Sequence, residues 1–336
     1  MAAITLRAAS WYLPPTAVAV ADLPELAGLP AAEREVCEAL GIDEVRADDG
    51  LSTVDLALRA ARQTLAEAGL EPGDVDALVV VEPRAPEAFI TSEVTRLQAL
   101  LGADRALTFS VGGLGCASLT PALLTARGLL YGDPDVRHVL VVHGSRPAAP
   151  HRYRHPVTVY GDCGQALLVT RDGGPVRVTD ILMESSGAYW DLFRVDFRDR
   201  PEQAWREVCT DVPRYSFTLA MESRVRLRAL RDRLLDRNGL RPPDIRHHVG
   251  QNLSLGAFRF HEEALGVALD PACRDNLRRF GHLGANDPLF NLYTALTREN
   301  PDRPGPSLVL NISPVASWSA LLVESGTGSD VRSHAL

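Results

Sequence analysis

The chain predicts an α/β protein with a mainly parallel sheet, on three observations. Short apolar runs alternate with segments of helical periodicity along nearly the whole sequence. The rhythm repeats in the second half after a glycine-rich break near 172–176. The 336 residues exceed the usual single-core size, with 46% hydrophobic and 23% charged positions, as in an ordinary globular enzyme.

The elements follow in order. STVDLALRAARQTLAEAGL (52–70) has apolar residues at helical spacing, with Ser52 or Thr53 as N-cap. DALVVVEP (76–83) predicts a buried strand ending at a proline, 89–101 a helix, and 106–111 a strand. SVGGLGCASLTPALLTARGLL (110–130) then sets Cys116 at the mouth of a helix. HVLVVHGS (138–145) predicts a strand, and GDCGQALLVTRDGG (161–174) a turn, a strand and a polar exit. In the second half, helices are expected over 215–238, 254–266, 275–279 and 288–298, a strand end at 246–250, and closing strands at 307–314 and 317–324. Residues 186–215 are expected to be an irregular binding loop, and the tail 326–336 to be disordered.

Composition excludes several function classes. A net charge of −8 without a basic run argues against a nucleic-acid partner. No apolar run is long enough to span a bilayer, and MAAITLRAASWYLPP lacks the form of a signal peptide, so a cytoplasmic protein is expected. All 35 basic residues are arginine, which rules out a lysine Schiff base. The five cysteines are widely spaced without a C-x-x-C, which fits free thiols rather than zinc or disulfides. No histidine–carboxylate spacing suggests a metal site.

Cys116 is the candidate nucleophile, because a helix N-terminus stabilises a thiolate. Its bland alternative is a buried structural thiol. His143 ends an apolar strand, where α/β folds line clefts. His138, His151, His155 and His261 read as surface residues and Cys163 as structural. Arg152, Arg154 and His155 read as a solvated basic loop, with a bound phosphate or an acidic protein partner as the sharper alternative.

These pieces, taken together over residues 35–325, resemble the ketoacyl synthase III group of the thiolase fold. PEAFITSEVTRLQALLG resembles the family's dimer-interface helix, SVGGLGCASL its nucleophile loop, and YGDCGQALLV its glycine-rich turn. RHHVGQN resembles its histidine strand and SWSALLVE its last strand. The resemblance implies two related halves, 1–174 with the cysteine and 175–325 with the histidine and acid, and a site at their junction. It implies no cofactor, an acyl-coenzyme A or acyl carrier protein thioester as donor, and a homodimer in which Phe89 helps close the acyl pocket. The histidine position falls on His247 or His248, with His248 preferred.

One departure sets the expected chemistry. Condensing members carry asparagine where this chain has His282, in GHLGAND. Asparagine donates a hydrogen bond but takes no proton at neutral pH, whereas histidine does both. Asp287 lies five residues on and can orient it. Cys116, His282 and Asp287 then form a nucleophile, a base and an orienter suited to acyl transfer onto a hydroxyl or amine. The stretch resembles that of ketosynthase III-like acyltransferases of natural-product pathways, which acylate a sugar or aminocyclitol. A shifted loop would instead put Asn286 in the asparagine site with His248 and restore decarboxylative condensation. A catalytically inactive partner subunit is the third reading. In SPVASW, Val315 or Ala316 replaces a family glycine beside the oxyanion hole, which narrows the pocket there.

Overall fold

The computed structural model describes residues 2–298 and 305–325, and the backbone of 334–335. Nine strands form one continuous sheet: β1 (Ile4–Tyr12), β2 (Ala77–Val81), β3 (Leu107–Val111), β4 (Val139–Ser145), β5 (Cys163–Thr170), β6 (Val176–Ser185), β7 (His247–Val249), β8 (Pro306–Ser313) and β9 (Ser317–Ser325). Their spatial order is β7-β8-β9-β6-β1-β5-β4-β2-β3. The short pair His334–Ala335 adds to β1.

The pairing pattern runs twice. In the first set β3, β2 and β4 are parallel, then β5 and β1 are antiparallel. In the second, β7 and β8 are parallel, then β9 and β6 are antiparallel. The sets meet where β1 pairs with β6, Ile4 opposite Val178. Short strands of valine and leucine are buried on both faces, as a sheet covered by helices requires.

The helices are α1 (Thr53–Ala68), α2 (Glu93–Leu101), α3 (Leu119–Gly132), α4 (Ala220–Arg237), α5 (Leu255–Leu265), α6 (Pro271–Phe280) and α7 (Asp287–Thr297), with a shorter helix at Ala31–Glu38. Ser52 caps α1 in a capping box with Asp55. A large cluster on one face of the sheet buries Trp11 against Phe290 and Tyr293. Among the described residues no helix is long and apolar enough to cross a membrane.

Several expectations need correction. The sheet is mixed rather than mainly parallel, because β1, β5, β6 and β9 join their neighbours in it antiparallel. The helix expected from 89 starts only at Glu93, capped by Ser92, so Phe89 and Ile90 lie in the preceding bend. The segment 186–215 is not wholly irregular. Phe193–Val195 pairs with Glu207–Cys209 as a ribbon, and Phe197 meets Trp205 edge-on nearby. The start of the long 215–238 helix is a wider π turn over Arg214–Leu219. His261 is buried, not a surface residue. Most of the tail 326–336 lies outside the described residues.

Candidate active site

Cys116 lies in a single 3-10 turn, Gly115–Ala117, between β3 and α3. Its carbonyl accepts a hydrogen bond from Asn311 Nδ2 of β8 at 3.1 Å, which ties the cysteine turn to the second strand set. His282 lies between α6 and α7. Gly281 before it has φ +61°, and a Cβ there would stand 2.5 Å from the Val159 carbonyl oxygen, so only glycine fits. The His282 main chain then forms a parallel bridge with Tyr160. Its N–H donates to Val159 O at 2.9 Å, and its carbonyl accepts from Gly161 N–H at 3.2 Å.

This anchoring brings His282 Nε2 to 3.0 Å from Cys116 Sγ. On the other side of the ring, Nδ1 hydrogen-bonds Asp287 Oδ2. Both side chains are fully buried. Asp287 also accepts from Asn252 N–H at 3.0 Å and from Leu283 N–H at 2.8 Å. The carboxylate is therefore held by three donors, and it fixes the ring so that Nε2 faces the sulfur.

The electrostatics favour a charged pair. Burial alone would raise the Cys116 thiol. The facing His282 imidazolium and its hydrogen bond, with the guanidinium groups of Arg84 and Arg154, outweigh that and hold it down at about 6. Burial disfavours the His282 cation, but the thiolate and the Asp287 carboxylate raise it to about 9. Burial lifts the Asp287 carboxyl as well, against the imidazolium and the two backbone N–H groups, which favour its ionised form. Between roughly pH 6 and pH 9 the resting site is thiolate beside imidazolium.

The other expected residues fall elsewhere. His248 is buried, and burial with the charges of Arg231 and His247 lowers it to about 4, so it is neutral. It makes no hydrogen bond to the thiol among the described residues. His247 Nδ1 bonds Asp270 Oδ2 at 2.8 Å and serves structure. Successive strand residues face opposite ways, so the tandem histidines of β7 could not both reach one site. Asn286 is buried, but its Nδ2 donates to Cys163 O at 3.3 Å, not to the thiol. Phe89 is 70% exposed and stacks on Phe197. Ala316 adopts φ +59°, and its N–H donates to Ser313 O at 2.8 Å, while Val315 N–H faces Ser313 Oγ at 3.4 Å. Neither N–H is therefore free as an oxyanion donor.

The basic stretch is not a solvated loop. Arg152 and Arg154 are buried. Arg152 forms a two-pronged pair with Asp162, at 2.8 and 3.0 Å. Arg154 pairs with Glu207 at 2.8 Å and donates to Tyr160 Oη at 2.8 Å. These contacts leave neither guanidinium as a patch for coenzyme A.

Sequence reasoning missed Arg84, Ser145 and Tyr160. Arg84 follows β2, and a position just past a strand's C-terminal end was the available signal. Its Nη2 lies 3.9 Å from Cys116 Sγ, and its guanidinium carbon sits 3.7 Å above the Tyr160 ring. The Tyr160 ring in turn packs against His282, 5.4 Å between centroids. His143, at the end of β4, bonds Val81 O through Nδ1 at 2.9 Å, and burial holds it neutral at about 4.

No family model matches the chain. It is similar to beta-ketoacyl-[acyl-carrier-protein] synthase III of Cereibacter sphaeroides strain ATCC 17025 / ATH 2.4.3, 34% identical over 159 residues, 45% of this chain and 48% of that one. The chain thus spans about half the length of the curated relatives it first matches. In structure it is similar to 3-oxoacyl-[acyl-carrier-protein] synthase III of Aquifex aeolicus, with TM-score 0.78 at 18% identity, covering 96% of this chain and 99% of that one. It is also similar to ChlB3, an acyltransferase, with TM-score 0.79 at 22% identity, covering 97% and 98%. The doubled sheet and the buried thiol at a helix entrance define a thiolase-type α/β protein. Its similarities run to ketoacyl synthase III-like proteins of that fold.

Proposed function

We propose that the protein is an acyltransferase. It moves an acyl group from a coenzyme A or carrier-protein thioester, through acyl-Cys116, onto a hydroxyl or amine of a sugar- or aminocyclitol-type acceptor in natural-product biosynthesis. The carrying observation is His282, with Nε2 at 3.0 Å from Cys116 Sγ and Nδ1 on Asp287.

The thiolate attacks the thioester carbonyl, a C–S bond forms, and the bond to the donor sulfur breaks. The departing thiolate takes the Nε2 proton of His282, which leaves a neutral imidazole. That imidazole accepts the acceptor's proton as its oxygen or nitrogen attacks acyl-Cys116. The Cys116–carbonyl bond breaks, and thiolate and imidazolium are restored. Asparagine at 282 could not take that proton.

The proposal includes two related halves, 1–174 and 175–325, work in the cytoplasm, and pairing of two copies through the segment around the exposed Phe89 and Ile90. No metal or cofactor enters the chemistry. A ketoacyl synthase III-type decarboxylative condensation is the second reading, favoured by the names of the curated relatives. It would need a carboxamide at the thiol, and Asn286 is engaged with Cys163 O. An inactive partner subunit has no use for a thiolate poised this way.

Intact mass after incubation with acyl-coenzyme A tests the proposal. One adduct is expected, absent in Cys116→Ala. His282→Ala should still charge but fail to pass the acyl group to an aminocyclitol or glycoside panel. Transfer by His282→Ala at the wild-type rate would refute the assigned base. Carbon dioxide release from malonyl-coenzyme A, undiminished in His282→Ala, would favour condensation.

A further inference from the structure

Arg84 has no role in the mechanism above, yet it faces the reacting atoms. Its Nη1 donates to Ser145 Oγ at 3.2 Å and to Arg146 O at 3.1 Å, which leaves Nη2 directed at Cys116 Sγ. Among the described residues Arg84 forms no ion pair, whereas its neighbours Arg152 and Arg154 are matched by Asp162 and Glu207. A guanidinium cannot shed its proton, and a half-buried cation with no carboxylate in contact is costly. In the resting site the anion is the thiolate. During acylation the negative charge leaves sulfur and gathers on the acyl oxygen. The turn that might receive it is occupied, because Ala316 N–H donates to Ser313 O and Val315 N–H faces Ser313 Oγ.

The space is also shaped for a small polar atom. A Cβ on Gly284, which has φ +69°, would lie 3.3 Å from Arg84 Nη2, 3.3 Å from His143 Nε2 and 2.6 Å from Ser145 Oγ. Three polar atoms thus converge where glycine leaves room. An oxygen one bond from the acyl carbon on Cys116 is within hydrogen-bond reach of an Nη2 placed 3.9 Å from that sulfur.

We propose that Arg84 is a catalytic residue whose Nη2 pairs with the thiolate at rest and with the acyl oxygen as charge develops there in each tetrahedral adduct. The inference rests on the acyl-transfer reading. When Sγ bonds to the carbonyl carbon, the π pair moves to oxygen and Arg84 stays paired. When the adduct collapses, the pair re-forms C=O and the donor thiolate departs with the His282 proton. Arg84 gains and loses no proton throughout.

The test compares wild type, Arg84→Met and Arg84→Lys in two measurements. The first is single-turnover charging of Cys116 by acetyl-, butyryl- and malonyl-coenzyme A, read by intact mass. The second is the pH dependence of alkylation by iodoacetamide. Removal of an oxyanion donor costs about 10²–10³-fold in rate. Arg84→Met should slow charging by that order for all three donors and move the alkylation midpoint upward, and Arg84→Lys should recover part of both. Charging of Arg84→Met at the wild-type rate would overturn the proposal. So would slowing confined to the malonyl donor, which would make Arg84 a carboxylate anchor. If wild type charged with none of the three, acyl transfer itself would fall. An unchanged alkylation midpoint in Arg84→Met would then reject Arg84 independently.

Discussion

Asp287 and His282 are joined across one turn of chain by a hydrogen bond between Oδ2 and Nδ1, with no solvent exposure of either side chain. Asp287→Asn keeps the volume but removes the charge that favours the imidazolium and can reverse the preferred tautomer. General-base assistance is worth roughly 10²–10⁴-fold. Transfer from acyl-Cys116 should fall by that order in Asp287→Asn, measured as decay of the acyl adduct after acceptor is added. Asp287→Ala should also lower the melting temperature, because the Leu283 and Asn252 N–H groups lose their acceptor at about 1–3 kcal/mol each.

The charged pair fixes a pH profile. A thiol held at about 6 is thiolate above that pH, and an imidazole raised to about 9 stays protonated below it. Alkylation by a neutral reagent should therefore rise through a midpoint near pH 6. In His282→Ala the largest lowering influence is gone and burial works unopposed by it, so the midpoint should move upward. A midpoint that stayed near 6 in that variant would contradict the pairing.

Asp162 is fully buried and receives both Arg152 nitrogens and the Asp48 N–H. Asp162→Ala leaves the buried guanidinium only the exposed Asp49 at 3.9 Å, and breaking such a pair from one side costs about 3–5 kcal/mol. Chemical denaturation should show a loss of that size. The double variant Asp162→Ala, Arg152→Met should recover part of it, because no charge is left unmatched.

Gly284→Ala puts a methyl 2.6 Å from Ser145 Oγ at a backbone angle that side chains rarely adopt. Strain of this kind costs about 1–3 kcal/mol. The variant should melt earlier and charge more slowly, because Ser145 and Arg84 must both shift. A wild-type melting temperature would show that the cradle is looser than its distances imply.

What was legible in the sequence was local. The resemblance pointed to His282, and GHLGAND places Asp287 five residues on in the same stretch, so their partnership could be read together. The capping box at Ser52 was readable for the same reason. Between His247 and His248 the sequence favoured His248 without knowledge of the strand's facing, and the thiol's histidine partner is instead His282. The burial of Arg152 and Arg154 was also hidden. Asp162 and Glu207 lie 10 and 53 positions away along the chain, and only folding makes the arginine stretch neutral. Strand β6 carries Arg177, Thr179 and Asp180 among its apolar residues, which masked it as a strand. Arg84 drew no attention because its place just past a strand end marks a cleft position but not which residue it faces.

The bridge between Tyr160 and His282 means that the imidazole borrows its place from the segment preceding β5, not from the helices on either side of it. The spacing of base and sulfur is thereby stitched by main-chain rungs to the strand set that carries the cysteine turn. Relative rocking of the two strand sets would have to unzip those rungs before it could draw the pair apart. Deuterium uptake at the Gly161 and His282 amides should therefore accelerate in step with loss of thiol reactivity when the protein is warmed.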